Sequence, residues 1–180
     1  VGGNYGLLQD NFPFGPWVHR AAVPATPAPP GWQPNNGYNV LPDFWAAVVW
    51  KKVMGSRVLS VVSGGAASNS TRVYAHCTEG GDSEAGAVTL LVINIDTVAP
   101  VDVALPLHTG APTVWAMTAP RGNVTGVTVA LNGEVLAVNP DYTVPEVAGA
   151  EATGVLDSVT VPPQAYTFVV LPGVAPQWCP

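Results

Sequence analysis

The chain has 180 residues, of which 48% are hydrophobic and only 10% are charged, and its formal net charge is −6 at pH 7. This length suits one domain with a substantial core, while the charged fraction is far below the roughly 25% of ordinary soluble domains. The negative net charge and the lack of any Lys/Arg cluster beyond Lys51-Lys52 exclude a protein that binds nucleic acid. No apolar run approaches the roughly 18–20 residues of a membrane-spanning helix.

The first forty residues divide into a short start and a long Pro-rich stretch. Residues 1–12 begin with a Gly pair and predict the end of a strand that runs into a loop. Proline removes backbone donors and fixes φ, so neither a helix nor a central strand fits between Pro24 and Pro34. A loop of this length is uncommon in a compact domain. Trp17, Trp32 and Tyr38 can anchor this stretch, so we predict an ordered surface insertion over residues 13–40.

One helix is predicted over residues 43–54. Apolar side chains recur at helical spacing at Trp45, Val48, Val49 and Val53. Asp43 is suited to cap the start, and Gly55 stands where a helix ends. Lys51 and Lys52 fall in the last turns, where they complement the helix dipole.

After Gly55 the hydrophobic pattern becomes typical of strands. Strand-forming runs, most of them separated by Gly, Pro, Asn or Asp, are predicted over residues 57–63, 71–77, 87–95, 101–105, 113–118, 126–131, 134–138 and 165–171. Leu131-Asn132-Gly133-Glu134 predicts a hairpin, and residues 140–157 predict a long loop. The pattern indicates a mainly β fold, specifically an antiparallel β-sandwich.

Two cysteines and two sequons bear on the cellular compartment. Cys77 and Cys179 either remain buried free thiols or form one long-range disulfide, and the residues alone leave both possibilities open. The sequons that begin at Asn69 and Asn123 have no central proline, which makes both asparagines candidate N-glycosylation sites. Together these features favour the secretory route.

A series of short motifs runs through nearly the whole chain. In order they are Gly3-Asn4-Tyr5, Leu7, Asn11-Phe12, Leu41-Pro42-Asp43-Phe44-Trp45, Lys51-Lys52, Gly55, Val73-Tyr74-Ala75-His76-Cys77-Thr78, the TLLVIN run ending at Asn94, the run ending Leu131-Asn132-Gly133, and Ala165-Tyr166-Thr167-Phe168-Val169-Val170. In this order and spacing the motifs resemble heparanase and its relatives in glycoside hydrolase family 79.

The resemblance implies a composite fold. Enzymes of this family consist of a (β/α)8 barrel followed by a C-terminal β-sandwich. On that pattern residues 1–56 resemble the last barrel strand-end, the insertion and the last barrel helix, and residues 57–180 resemble the sandwich. The chain departs from the family at residues 13–40, because the family passes almost directly from Asn-Phe to Leu-Pro-Asp, and also because most of the barrel is absent.

The resemblance also implies a divided active site. The family's two catalytic glutamates belong to a retaining mechanism with carboxyls about 5–5.5 Å apart. They come from barrel strands upstream of Val1, so no catalytic residue is predicted in this chain. The Gly-Asn-Tyr motif lines the subsite for the uronic acid carboxylate, which gives Gly3, Asn4 and Tyr5 a substrate-binding role. The alternative is that Tyr5 only packs at the end of a barrel strand.

The family pairs a cysteine of its His-Cys-Thr strand with one at the C-terminus, so the resemblance implies a disulfide between Cys77 and Cys179. His19, His76 and His108 do not have metal-ligand spacing, and there is no phosphate-binding loop, so no metal or other cofactor is predicted. The acidic residues flank strands or fall in loops, and none forms a pair suited to acid/base catalysis.

Two functions follow as hypotheses. In the first, the chain belongs to a secreted, extracellular or lysosomal enzyme acting on uronic-acid-containing glycans, where it supports the remainder of the barrel and supplies one edge of the substrate cleft. In this hypothesis a helix carrying Trp45 and Trp50 buries its apolar surface against the barrel. In the second, the chain is a non-enzymatic structural or glycan-binding module of an extracellular protein assembly, which the Pro-rich insertion favours.

Overall fold

A computed structural model of the chain describes residues 8–10, 38–62, 69–79, 86–139 and 143–179. Within these ranges lie one α-helix and twelve strands, and every strand pairing is antiparallel. The mainly β, antiparallel fold predicted from the sequence is confirmed.

The strands are numbered in chain order, and the helix α1 lies between β2 and β3. The elements are β1 Leu8–Asp10, β2 Tyr38–Val40, α1 Pro42–Val53, β3 Met54–Leu59, β4 Thr71–Thr78, β5 Val88–Asn94, β6 Val101–Ala104, β7 Thr113–Thr118, β8 Ala130–Leu131, β9 Glu134–Val135, β10 Ala150–Glu151, β11 Ser158–Val161 and β12 Ala165–Leu171.

One large sheet organises the fold. Its strand order is β3-β4-β5-β12-β7-β8-β9, with β10 paired to the start of β7, while β6 and β11 form a separate two-stranded sheet. Strand β5 lies between β4 and β12 and is buried on both faces. Its near-continuous apolar sequence follows from this position, because neither face is left to water.

Side chains of the large sheet alternate between two apolar clusters. The face toward the helix combines Leu91, Trp115, Met117 and Phe168 with Trp45, Val49 and Val53 of α1. The opposite face combines Ala75, Leu90, Val92, Val169 and Leu171 with Val159 and Val161 of β11.

The domain thus has the helix, the large sheet and the β6–β11 sheet as layers. A sandwich of two comparable sheets is not confirmed, because the second sheet has two strands among the described residues.

The helix packs on its own sheet through Trp45, so this tryptophan does not need the barrel partner that was expected for it. Trp45 is only 2% exposed within this chain. Trp50 is 38% exposed, and its ring lies 5.3 Å from that of His76 and 6.5 Å from that of Phe168. The repeat of apolar residues every four positions explains this packing, because it places them on one helix face.

The helix ends differ in detail from the prediction. Leu41, not Asp43, is the N-cap, and the Asp43 carboxylate instead accepts a hydrogen bond from the amide of its neighbour Phe44. The chain leaves the helix at Met54 in an extended conformation, so Gly55 is not a helix stop. Gly55 belongs to β3, where a Cβ atom would lie 2.4 Å from the carbonyl oxygen of Cys77. It is required for close approach of β3 to β4.

The predicted hairpin is confirmed, with Ala130 opposite Val135 and Leu131 opposite Glu134. Asn132 and Gly133 both have positive φ, 49° and 91°, as a type I′ hairpin turn requires. The paired strands are shorter than the runs predicted over 126–131 and 134–138.

Three strands lie where none was predicted. β10 falls inside the predicted loop 140–157, and β11 begins at the residue after that loop. β2 forms the end of the predicted insertion 13–40. The predicted division between residues 56 and 57 falls inside β3 and stays a prediction. No helix among the described residues has the length and apolar character that a membrane crossing requires.

Candidate functional site

The predicted substrate residues Gly3, Asn4 and Tyr5 lie outside the described residues. The first described element after them is β1, which pairs with β2 so that Leu8 is opposite Val40. Leu41 alone separates β2 from α1. The backbone that follows the predicted subsite is therefore tied to the N-terminus of the helix.

The N-terminus of α1 is anchored to the large sheet. Val40 is buried in the cluster shared by the helix and the sheet. Pro42 occupies the first helical turn, where its fixed φ fits and its missing N–H is not needed. Its carbonyl accepts a hydrogen bond from the hydroxyl of Tyr166 on β12, at 3.3 Å. Burial, and secondarily the negative charge of Asp43, raise the pKa of Tyr166 to about 12, so this hydroxyl stays protonated and remains a donor at neutral pH.

The C-terminus of α1 is anchored to the same sheet. The carbonyl of Val53 accepts hydrogen bonds from the Thr89 hydroxyl at 2.6 Å and from the Glu79 amide at 3.1 Å. Because the Thr89 hydroxyl has one proton and donates it here, the 2.9 Å contact with Thr78 must use the Thr78 hydroxyl as donor. Carbonyls at the C-terminal end of a helix have no hydrogen-bond donor within the helix. Here the donors to the carbonyl of Val53 come from Thr89 and Glu79.

The described carboxylates do not form a catalytic pair. Among the Asp and Glu residues whose side chains the structure describes, every one except Asp96 is exposed. Asp96 accepts hydrogen bonds from the backbone amides of Ala99 and Val98, which lower its pKa, and this arrangement stabilises a turn. No cluster of three His, Cys, Asp or Glu side chains suited to a metal occurs within the described ranges. These carboxylates lack the environment that acid/base catalysis requires.

The disulfide joins β4 to the C-terminal tail. Cys77 and Cys179 are bonded, with Cα atoms 5.3 Å apart, and they are 102 positions apart in sequence. This is the pairing that the family resemblance implies. The tail is held a second time, because the Arg57 guanidinium on β3 donates to the carbonyl of Trp178 at 2.7 Å. Asn69 and Asn123, the predicted glycosylation sites, are both exposed.

Sequence reasoning missed the polar residues that anchor the helix and the sheet. Tyr166, Thr89 and Asn94 stood inside predicted strands without an assigned role. Asn94 is 1% exposed, and its amide donates to the carbonyls of Ala99 at 2.9 Å and Pro162 at 3.0 Å. The available signal was a polar residue at each end of the apolar TLLVIN run, because buried polar groups must find hydrogen-bond partners.

Comparison with known proteins identifies the relatives of the chain. No protein-family model matches it. Baicalin-beta-D-glucuronidase of Scutellaria baicalensis is 30% identical over 175 residues, which cover 96% of this chain and 27% of that protein. Heparanase of Gallus gallus is 32% identical over 114 residues, which cover 61% of this chain and 22% of that protein. The chain is a relative of the heparanase-like glycoside hydrolases of family 79.

Not every protein in this group of relatives is named as an active enzyme. Inactive heparanase-2 of Homo sapiens is 31% identical over 72 residues, which cover 34% of this chain and 12% of that protein. The chain spans about a quarter of the length of the heparanase-like relatives named above that it matches most extensively.

Proposed function

We propose that the chain is the non-catalytic C-terminal part of a secreted heparanase-like glycoside hydrolase that acts on uronic-acid-containing glycans. The observation that carries the proposal is the 30% identity to a protein named as a glucuronidase, extending over 96% of this chain. The catalytic glutamates belong to the remainder of the barrel, which is the partner of this chain within the same or a processed polypeptide.

In this proposal the domain is a rigid support. Helix α1 is hydrogen-bonded to the large sheet at its start, through Tyr166, and at its end, through Thr89. The paired strands β1 and β2 lead directly into that helix. A fixed helix restricts the backbone that precedes it, and restricted positioning of substrate-binding groups is what catalysis needs.

The substrate edge consists of Gly3, Asn4 and Tyr5. The backbone N–H of Gly3 and the phenol of Tyr5 hold the uronic acid carboxylate by charge-assisted hydrogen bonds, which do not require a full cation. This chemistry suits a chain with only six Lys and Arg residues in all. The glycan is the substrate, and the site needs no cofactor.

The disulfide and the two sequons support passage through the secretory route, to a secreted or extracellular location or, as the alternative, to a lysosome-like compartment. Expression of the full-length protein with its own upstream sequence, followed by assay of medium and cell fractions, tests this location. Recovery in the cytosol with Cys77 and Cys179 both alkylatable contradicts it.

The enzymatic proposal is tested by turnover. The full-length protein should hydrolyse an aryl β-D-glucuronide, and replacement of either upstream glutamate by glutamine should abolish turnover while the protein stays folded. A folded full-length protein that turns over no glucuronide at all contradicts the proposal.

A second candidate function is a non-enzymatic structural or glycan-binding module of an extracellular protein assembly. The match to inactive heparanase-2 favours it. It predicts replacement of at least one upstream glutamate and retention of glycan binding without hydrolysis. Binding of a uronic-acid oligosaccharide, measured by calorimetry beside the turnover assay, separates the two functions.

A further inference from the structure

Both sequons lie at the same end of the large sheet. At this end Thr71 of β4 is opposite Asn94, Ala165 of β12 is also opposite Asn94, and Thr118 of β7 is opposite Ala130. Asn69 comes two residues before β4, and Asn123 comes five residues after β7. The disulfide is at the opposite end, where Cys77 is opposite Val88.

The sequon at Asn123 lies in an exposed turn. All three of its residues, Asn123 to Thr125, are exposed. The backbone amide of Asn123 donates to the carbonyl of Pro120, and its carbonyl accepts from the amide of Gly126, both at 3.1 Å. The Thr125 hydroxyl donates to the side-chain oxygen of Asn123 at 3.1 Å. This places the hydroxyl of the sequon beside the amide that receives the sugar.

The sequon at Asn69 is already part of the sheet. The carbonyl of Ser70 accepts a hydrogen bond from the amide of Ile95 at 2.8 Å, which extends the pairing of β4 with β5. The hydroxyl of Thr71 is buried. The Arg72 guanidinium donates to the carbonyl of Asn69 at 3.0 Å and holds the turn. A transferase that must engage both the asparagine and the hydroxyl two residues later cannot reach this sequon without opening β4.

We propose that Asn123 is an N-glycosylation site that accepts a glycan in the folded domain, whereas Asn69 accepts one only before β4 pairs. The donor class is a lipid diphosphate-linked oligosaccharide. A bond forms between Asn123 Nδ2 and the anomeric carbon of the first sugar, and the bond from that carbon to the diphosphate oxygen breaks. The amide passes one proton to a basic group of the transferase, and the lipid diphosphate leaves. That the modification occurs in the cell rests on the secretory location proposed above. The difference in accessibility between Asn123 and Asn69 in the folded domain does not depend on that location.

The attached glycan covers apolar surface at this end of the sheet. Val124, the central residue of the sequon, is 49% exposed. A glycan on the adjacent residue supplies neutral polar groups to a domain in which only 10% of residues are charged.

The test uses full-length protein made without glycans in an oxidising bacterial compartment. Intact Cys77–Cys179 linkage by non-reducing mass spectrometry shows that the domain is folded. Incubation with a purified oligosaccharyltransferase and its lipid-linked donor, followed by glycopeptide mass spectrometry, should give modification at Asn123 and none at Asn69. Reduction and denaturation before incubation should expose Asn69 as well.

Matched variants make the result specific. Asn123→Gln and Thr125→Ala should lose the modification of the folded protein, Thr125→Ser should retain it, and Asn69→Gln should not change it. Absence of modification at Asn123 in the folded protein, or equal modification of both asparagines, overturns the proposal. The mass-spectrometric measurements at Asn123 and Asn69 do not depend on glucuronide hydrolysis. Failure of the enzymatic proposal is therefore seen separately, in the turnover assay.

Discussion

The hydroxyl of Tyr166 on β12 donates a hydrogen bond to the carbonyl of Pro42 in the first turn of α1, at 3.3 Å. This bond fixes the start of the helix on the large sheet, and the helix follows the strand pair β1–β2 after a single residue. It therefore links the core of the domain to the strand pair β1–β2.

Tyr166→Phe is expected to weaken this link without disturbing the packing. The loss of one neutral hydrogen bond costs about 0.5–1.5 kcal/mol of unfolding free energy. Urea unfolding at pH 7 measures it. Tyr74→Phe is the control, because Tyr74 is 47% exposed and its substitution should leave stability unchanged. Equal effects of the two substitutions would contradict the role assigned to Tyr166.

The same tyrosine predicts a pH dependence at alkaline pH. Its pKa is raised from 10.0 to about 12 in the folded protein, chiefly by burial. The unfolded chain therefore deprotonates first, so the stability contributed by Tyr166 is complete below pH 10 and is lost as the pH rises toward 12. Over this window the unfolding free energy of the wild type should fall to that of Tyr166→Phe and then below it. A constant difference between them would contradict the prediction.

Gly55→Ala is expected to be strongly destabilising. The added Cβ atom would lie 2.4 Å from the carbonyl oxygen of Cys77, and relief requires the backbones of β3 and β4 to separate, at a cost of about 1–3 kcal/mol or more. Gly154→Ala is the matched control, because a Cβ atom added at Gly154 would have no neighbour within 4 Å. Thermal unfolding compares them, and two equal melting temperatures would show that β3 can yield.

Thr89→Val tests the anchor at the other end of the helix. The substitution keeps the shape of the side chain but leaves the buried carbonyl of Val53 with one hydrogen bond fewer, so the unfolding free energy should fall by about 1–3 kcal/mol. Thr97→Val, at an exposed position in a turn, should change it by less than about 0.5 kcal/mol. Urea unfolding of both variants gives the comparison. An unchanged unfolding free energy for Thr89→Val would show that the Thr89 hydrogen bond does not stabilise this end of the helix.

Loss of the disulfide is expected to cost more than loss of the single hydrogen bond of Tyr166. It closes a loop of 102 residues, and removal of a native disulfide typically costs about 2–5 kcal/mol. The double variant Cys77→Ala with Cys179→Ala should show this loss in urea unfolding. An unchanged unfolding midpoint would mean that Arg57 and the packing hold the tail unaided.

The mainly β fold and the helix could be predicted because their signals are local and periodic. The hairpin at Asn132-Gly133 was predictable for the same reason, since a type I′ turn needs positive φ at both positions and these residue types tolerate it. The role of Gly55 was not predictable, because the carbonyl that it approaches is on the neighbouring strand, at Cys77. Strand β11 was not predicted because its alternating run is only four residues long and directly follows the predicted loop over 140–157.

Only part of the candidate site could be predicted from the sequence. The motif at Gly3, Asn4 and Tyr5 was found only through its resemblance to a family, because no composition or spacing distinguishes a carboxylate-binding tyrosine from a packed one. The supporting contacts of Tyr166 and Thr89 depend on pairs of residues far apart in sequence, which a single sequence does not reveal.

The central claim, that this chain supplies one edge of a uronic acid subsite, is tested most directly by Tyr5→Phe in the full-length protein. The measurement is the ratio of kcat/KM for an aryl β-D-glucuronide to that for the corresponding glucoside, with Tyr74→Phe as the control. Loss of a hydrogen bond to a charged group should lower this ratio by roughly 10- to 100-fold for Tyr5→Phe and leave it unchanged for the control. A ratio equal to that of the wild type in the Tyr5→Phe variant would contradict the claim.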